Sequence, residues 1–89
     1  MVDKLLEFCK LNQIEFKNGY RNSPAVTLVG YGLHIGASKE DVLAVSKKLY
    51  PKDTKTADEL ERVYMYGSAN GYGRYWENPE NVKAFQFPA

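Results

Sequence analysis

The stretch Ala25-Val26-Thr27-Leu28-Val29 dominates the interpretation of the chain, because it is rich in apolar and β-branched residues. This composition is typical of a strand that is buried on both faces of a sheet. We therefore predict that residues 25–29 form a central strand. Gly30-Tyr31-Gly32 interrupts the run, and Leu33-His34-Ile35 then alternates. A tight turn at the glycines predicts a second strand over residues 33–35, and one long strand that bends at the glycines is the alternative.

The sequence before this run predicts one helix and one strand. A stripe at helical spacing, which ends at about Leu11, contains Val2, Leu5, Leu6 and Cys9. The cysteine therefore belongs to the core face of the helix. Residues 13–17 alternate between apolar and polar side chains, which predicts a strand. Residues 18–24 contain Asn-Gly and Asn-Ser-Pro turn signals and are predicted to form a loop.

The sequence after the run predicts two helices and a closing strand. Residues 38–41 have the spacing of a capping box, so a helix begins there and ends before Pro51. Its predicted buried face consists of Val42, Val45 and Leu49. Residues 56–59 repeat the capping signal and predict a helix that ends near Gly67. Residues 82–87 alternate again, which predicts a strand.

These elements follow the order α-β-β-β-α-α-β and predict an α+β fold in a single domain of residues 1–89. The predicted architecture is a small antiparallel sheet of three to four strands, with about three helices packed on one face. A chain of 89 residues buries a thin core. Association into a homo-oligomer would therefore add stability.

Charge and cysteine usage exclude several classes of protein. Twelve Lys and Arg against eleven Asp and Glu leave a net charge of +1, which argues against long nucleic acids as partners. A single cysteine forms no internal disulfide, which favours a reducing compartment. No apolar run is long enough to span a membrane. We expect a cytoplasmic protein without a membrane partner, in the host cytoplasm if the gene is viral.

No group of residues predicts catalysis, a metal site or a cofactor. Cys9 and His34 are a conceivable nucleophile and base, but Cys9 lies on the apolar stripe of a helix. The single histidine has no partners at metal-ligand spacing. The glycines at 30, 32 and 36 match neither the dinucleotide fingerprint nor the P-loop. We therefore expect a protein that is not an enzyme.

The segment of residues 64–76 has the composition of a binding surface. It holds five aromatic residues, three glycines and one of the three arginines of the chain. Such residues provide rigid contact area and are common at interface hot spots. The alternative is that Tyr64 and Trp76 anchor the core while the glycines turn the chain. The candidate site residues are Tyr66, Asn70, Tyr72, Arg74, Tyr75 and Trp76, joined by Tyr31 and Arg21 if their loops lie beside the segment.

These observations predict a small non-catalytic binding protein that docks on a protein partner through residues 64–76. An inhibitor or regulator of the kind found among phage and mobile-element accessory proteins fits the size of the chain. The alternative is a binder of a nucleotide or a nucleotide-like signalling molecule, with a pocket shared across a homo-oligomer interface. Tyr, Arg, Asn and Gly side by side can stack a base and hold a phosphate.

Overall fold

The computed structural model of residues 1–89 is 69% helical and has no strand or sheet. The prediction of an α+β fold with an antiparallel sheet is therefore wrong. The helices are α1 (Val2–Leu11), α2 (Asn22–His34), α3 (Lys39–Leu49), α4 (Thr54–Asn70) and α5 (Pro79–Val82), with a 3₁₀ segment (Tyr72–Glu77) between α4 and α5. None of these helices has the length and apolar character required to cross a membrane.

Helix α2 is the centre of the molecule and replaces the two strands predicted for residues 25–29 and 33–35. It contacts α1, α3, α4 and the 3₁₀ segment. A helix covered on several sides carries apolar residues around most of its circumference, so its sequence shows no helical period. Leu28, Val29 and Tyr31 are all buried. The apolar run that resembles a buried strand is therefore the middle of a buried helix.

Two glycines lie inside α2 because neighbouring elements approach its backbone closely. A Cβ atom on Gly30 would lie 2.5 Å from Nε1 of Trp76, and one on Gly32 would lie 3.2 Å from Cγ2 of Val42. Each glycine costs about 1 kcal/mol relative to alanine in a helix interior. The glycines allow the 3₁₀ segment and α3 to reach α2, so the turn or bend predicted there is absent.

The predicted strand of residues 13–17 is also absent. Its only strand-like feature is an isolated antiparallel bridge between Lys17 and Tyr20. Phe16 is buried, and its backbone N–H donates to the hydroxyl of Tyr50 at 3.3 Å. Burial of Phe16 and its contacts with Tyr50, the residue after α3, therefore fix this segment without a partner strand. The predicted loop ends earlier than expected, since α2 begins at Asn22.

The predicted closing strand of residues 82–87 is an irregular tail. Its position is fixed by the side chain of Asn12 at the end of α1. That amide donates to the carbonyl of Gln86 at 2.8 Å and accepts from the backbone N–H of Gln86 at 2.8 Å. The two bonds satisfy backbone groups that a sheet would otherwise pair. The alternating residues Phe85 and Phe87 both turn toward the aromatic core.

Helices α1 and α3, each with one buried face, match their predictions. Helix α1 ends at Leu11, and Cys9 is buried in the core. Burial raises the pKa of the Cys9 thiol to about 12, so the side chain acts as a small apolar group. The capping box of α3 is complete, with Asp41 N–H donating to Ser38 Oγ at 3.1 Å. The exception is Leu49, which is exposed instead of buried.

Helix α4 is longer than predicted at both ends. It begins at Thr54, because Asp53 accepts the backbone N–H of Thr56 at 3.0 Å and forms the cap. It continues past Gly67, where a Cβ atom would lie 2.7 Å from Cδ2 of Tyr72. The helix ends at Gly71, whose φ of 71° lies in the left-handed region that glycine adopts without strain.

Candidate binding groove

The segment of residues 64–76 forms the C-terminal half of α4, the turn at Gly71 and most of the 3₁₀ segment. The turn folds the 3₁₀ segment back against α2. This arrangement separates the aromatic side chains into two groups. Trp76 is only 6% exposed, whereas Tyr66 and Tyr75 are 59% and 51% exposed. Part of the segment therefore anchors the core, and the rest forms surface.

Trp76 belongs to an aromatic cluster in the centre of the molecule. Phe8 and Tyr31 stack at 3.9 Å between ring centroids, and the indole lies edge-on to both, at 5.5 and 5.7 Å. Phe85 from the tail approaches the indole at 4.8 Å. The cluster connects α1, α2, the 3₁₀ segment and the tail. It therefore fixes the position of the surface above it.

A cavity of about 480 Å³ lies between α2, the 3₁₀ segment and the tail. We call it the aromatic groove. Its lining consists of Val26, Thr27, Gly30, Gly71, Tyr72, Tyr75, Trp76 and Phe85. None of these residues is an acid, a base, a cysteine or a histidine. The groove is therefore suited to bury an apolar or aromatic group, with the tyrosine hydroxyls available at polar positions.

Tyr66 extends the aromatic surface beyond the groove. Its ring meets the ring of Tyr72 edge-on at 5.8 Å, and Tyr72 in turn rests on Gly67. Asn70 donates its side-chain amide to the carbonyl of Tyr66 at 2.7 Å. Asn70 therefore stabilises the last turn of α4 next to this surface.

Arg74 lies beside the groove, above the turn. A Cβ atom on Gly71 would lie 3.3 Å from Nε of Arg74, so the guanidinium stem covers the bare backbone of that glycine. Arg74 also lines a second, polar cavity of about 230 Å³ together with His34 and Glu77. Gly71 lines both cavities. The arginine therefore stands at the boundary between them.

Tyr31 and Arg21 are not part of the groove. Tyr31 is buried in the aromatic cluster, and burial raises the pKa of its phenol. Arg21 joins the start of α2 to the start of α4, because Nη2 donates to Asp53 at 3.0 Å and Nε donates to Thr56 at 2.9 Å. Their predicted place beside the segment relied on a sheet edge and on a turn at residues 30–32, and neither exists.

The predicted site residues lack three side chains that line the groove, those of Val26, Thr27 and Phe85. All three lie in stretches that were predicted to be strands. Val26 is 37% exposed although it belongs to the apolar run of residues 25–29. Nothing in the local pattern distinguishes this residue from its buried neighbours. Its exposure follows from tertiary packing, because the neighbouring elements leave this part of α2 open as one wall of the groove.

The Asp53 carboxylate predicts a pH dependence of stability. Bonds from the side chain and backbone of Thr56, followed by Arg21, lower its pKa from 3.8 to about 2. Since folding favours the charged form, the stabilisation is complete above about pH 4 and is lost as the pH falls toward about 2. We expect Asp53→Asn to lower the urea midpoint at neutral pH and to flatten its decline over this interval.

The control for this measurement is Asp58→Asn, which removes an exposed charge from α4 without affecting the bonds of Thr56 or Arg21. Urea midpoints of all three proteins at several pH values provide the comparison. If the urea midpoint fell with decreasing pH as steeply in Asp53→Asn as in the unmodified protein, the pH dependence would not come from Asp53.

Comparisons of the chain with protein-family models, curated proteins and solved structures find no match. No three His, Cys, Asp or Glu side chains lie together in an arrangement that could hold a metal ion.

Proposed function

We propose that the protein is a non-catalytic binding protein that docks on a protein partner through the aromatic groove, as an inhibitor or regulator. The observation that carries this proposal is the position of the exposed Tyr75 and Tyr66 beside an apolar cavity. Exposed tyrosines around a pocket are typical of interface hot spots. The pocket receives an apolar side chain of the partner, and the tyrosines exclude water around it.

The rigidity of the groove supports this function. Its floor includes Trp76, which is buried and contacts rings from α1, α2 and the tail. Its wall includes Tyr72, which rests on Gly67. A surface that is ordered before binding loses less conformational entropy on association. The lining also lacks any acid, histidine or cysteine, which favours binding over catalysis.

A small-ligand binder is the second candidate, because the cavity volume of about 480 Å³ lies within the usual range for ligand pockets. A nucleotide base or a nucleotide-like signalling molecule could stack against Tyr72 or Tyr75. A ligand of this kind raises the melting temperature with the logarithm of its concentration. A flat response across a panel of nucleotides would remove this candidate.

Tyr75→Ala tests the docking proposal. A photo-crosslinking residue placed at position 75 first identifies the partner in cells. Titration of the purified partner is then expected to give a dissociation constant raised about 30-fold or more, as for loss of a hot-spot residue. The melting temperature changes little, since the Tyr75 side chain is 51% exposed.

Tyr20→Ala is the matched control, because Tyr20 is 75% exposed and does not line the groove. We expect it to bind the partner as the unmodified protein does. Equal binding by Tyr75→Ala and Tyr20→Ala would refute docking through the groove. A large fall in the melting temperature of Tyr75→Ala would instead make that side chain structural.

A further inference from the structure

The three arginines of the chain differ in their partners. Arg21 pairs with Asp53 at 3.0 Å, and Arg62 pairs with Glu59 at 2.8 Å. The guanidinium of Arg74 has neither an ion pair nor a hydrogen bond, and its side chain is exposed. An arginine presents several donors in a planar fork that matches a carboxylate. Arg74 is thus the arginine whose fork is available to another molecule.

The position of Arg74 connects this fork to the aromatic groove. Its side chain covers Gly71, and Gly71 lines the groove. A molecule that fills the groove and extends past the turn therefore meets the guanidinium. The apolar site and the cationic site are adjacent, so one short segment can occupy both.

We propose that the groove recognises a peptide segment of the partner that carries an aromatic or large aliphatic side chain and a nearby carboxylate. This inference rests on the proposed docking function and specifies its ligand. The apolar side chain enters the groove, and the carboxylate pairs with Arg74. Nε of Arg74 would lie 3.3 Å from a Cβ atom on Gly71, which lines the groove. We therefore expect the two residues within about three positions of each other, since an extended chain covers about 10 Å over that length.

The charges around the turn favour a peptide carboxylate over a nucleotide. Arg74 is the single arginine at this site, and Glu77 lines the polar cavity beside it. Arg74 attracts a phosphate group of nearly two negative charges, and Glu77 repels it. Glu77 repels a carboxylate as well, but one guanidinium neutralises its single charge, whereas a phosphate keeps a net negative charge beside Glu77.

Selection from a random peptide library displayed on phage tests this inference with the full chain. Peptides enriched by the unmodified protein are expected to combine an apolar anchor with Asp or Glu within three positions. Peptides enriched by Arg74→Gln are expected to keep the apolar anchor and to lose the preference for an acid. Peptides enriched by Tyr75→Ala are expected to show neither the anchor nor the acid. Arg62→Gln, which alters an exposed arginine away from the groove, is the control and selects the same peptides as the unmodified protein.

Titration of one enriched peptide measures the pairing directly. Arg74→Gln is expected to raise the dissociation constant roughly 10- to 100-fold, as for the loss of a hydrogen bond between charged groups. Replacing the acid of the peptide by its amide is expected to have the same effect. The protein and peptide changes together are expected to raise the dissociation constant little more than either change alone.

The outcomes separate this inference from the docking function. Anchored peptides without an acid preference, or an acid preference that persists in Arg74→Gln, overturn the role of Arg74 and leave docking intact. Peptides that bind Tyr75→Ala as well as the unmodified protein overturn docking through the groove. Adenosine monophosphate that displaces the selected peptide assigns the groove to nucleotides and overturns the inference.

Discussion

Replacing Trp76 by alanine is expected to lower the free energy of unfolding by about 3–5 kcal/mol, as for truncation of other buried large aromatic residues. The indole is 6% exposed and contacts rings that belong to α1, α2 and the tail. Small domains are stable by only about 5–15 kcal/mol. The substitution therefore removes much of the stability, and the variant is expected to be partly unfolded in low concentrations of urea.

Urea unfolding followed by far-ultraviolet circular dichroism measures this effect, because Trp76 is the only tryptophan and its fluorescence is lost in the variant. Trp76→Phe keeps a ring in the cluster and is expected to lose less stability. Tyr75→Ala removes the exposed neighbour and is expected to lose about 0.5 kcal/mol or less. A loss below about 1 kcal/mol in Trp76→Ala would show that the cluster does not hold the tail and the 3₁₀ segment in place.

The sequence predicted the helices whose signals are local. Helix α1 has one buried stripe, and α3 has a capping box whose two bonds join residues three positions apart. Such signals do not depend on the rest of the fold. Both helices therefore match the prediction, apart from the exposed Leu49.

Helix α2 could not be predicted from its own residues. Its apolar run fits a buried strand as well as a buried helix, and β-branched residues favour the first interpretation. Gly30 reinforced the error, because a glycine in an apolar run usually marks a bulge or a turn. The glycine is needed at position 30 because Trp76, which is distant in sequence, approaches the backbone of α2 there. Tertiary packing outweighed local propensity at this element.

The candidate site could be predicted in part. The unusual composition of residues 64–76 pointed to the segment that supplies Tyr72, Tyr75 and Trp76 to the groove. Composition alone did not separate the buried Trp76 from the exposed Tyr75, since that distinction depends on which face of the 3₁₀ segment meets α2. The opposite wall of the groove, which includes Val26, required the helical fold.

Gly30→Ala is expected to lower the free energy of unfolding by about 1–3 kcal/mol, as for overpacking of a core. Helix propensity alone predicts that this substitution raises the free energy of unfolding, since alanine is about 1 kcal/mol more favourable than glycine inside a helix. The clash prevails because the new Cβ atom would lie 2.5 Å from Nε1 and 3.3 Å from Cδ1 of Trp76. The indole is buried, so it cannot move without disturbing the aromatic cluster. Urea unfolding followed by far-ultraviolet circular dichroism measures the loss, because this signal does not require Trp76, the only tryptophan of the chain.

Gly30→Ala in a Trp76→Leu background tests whether the clash with the indole causes the loss of stability. The smaller side chain leaves room for the methyl group, so Gly30→Ala is then expected to be neutral or to stabilise through propensity. The difference between the two backgrounds is the coupling between residues 30 and 76. If Gly30→Ala stabilised the unmodified protein, the 3₁₀ segment would have to lie farther from α2. The floor of the aromatic groove would then differ from the one on which the proposed peptide docking is based.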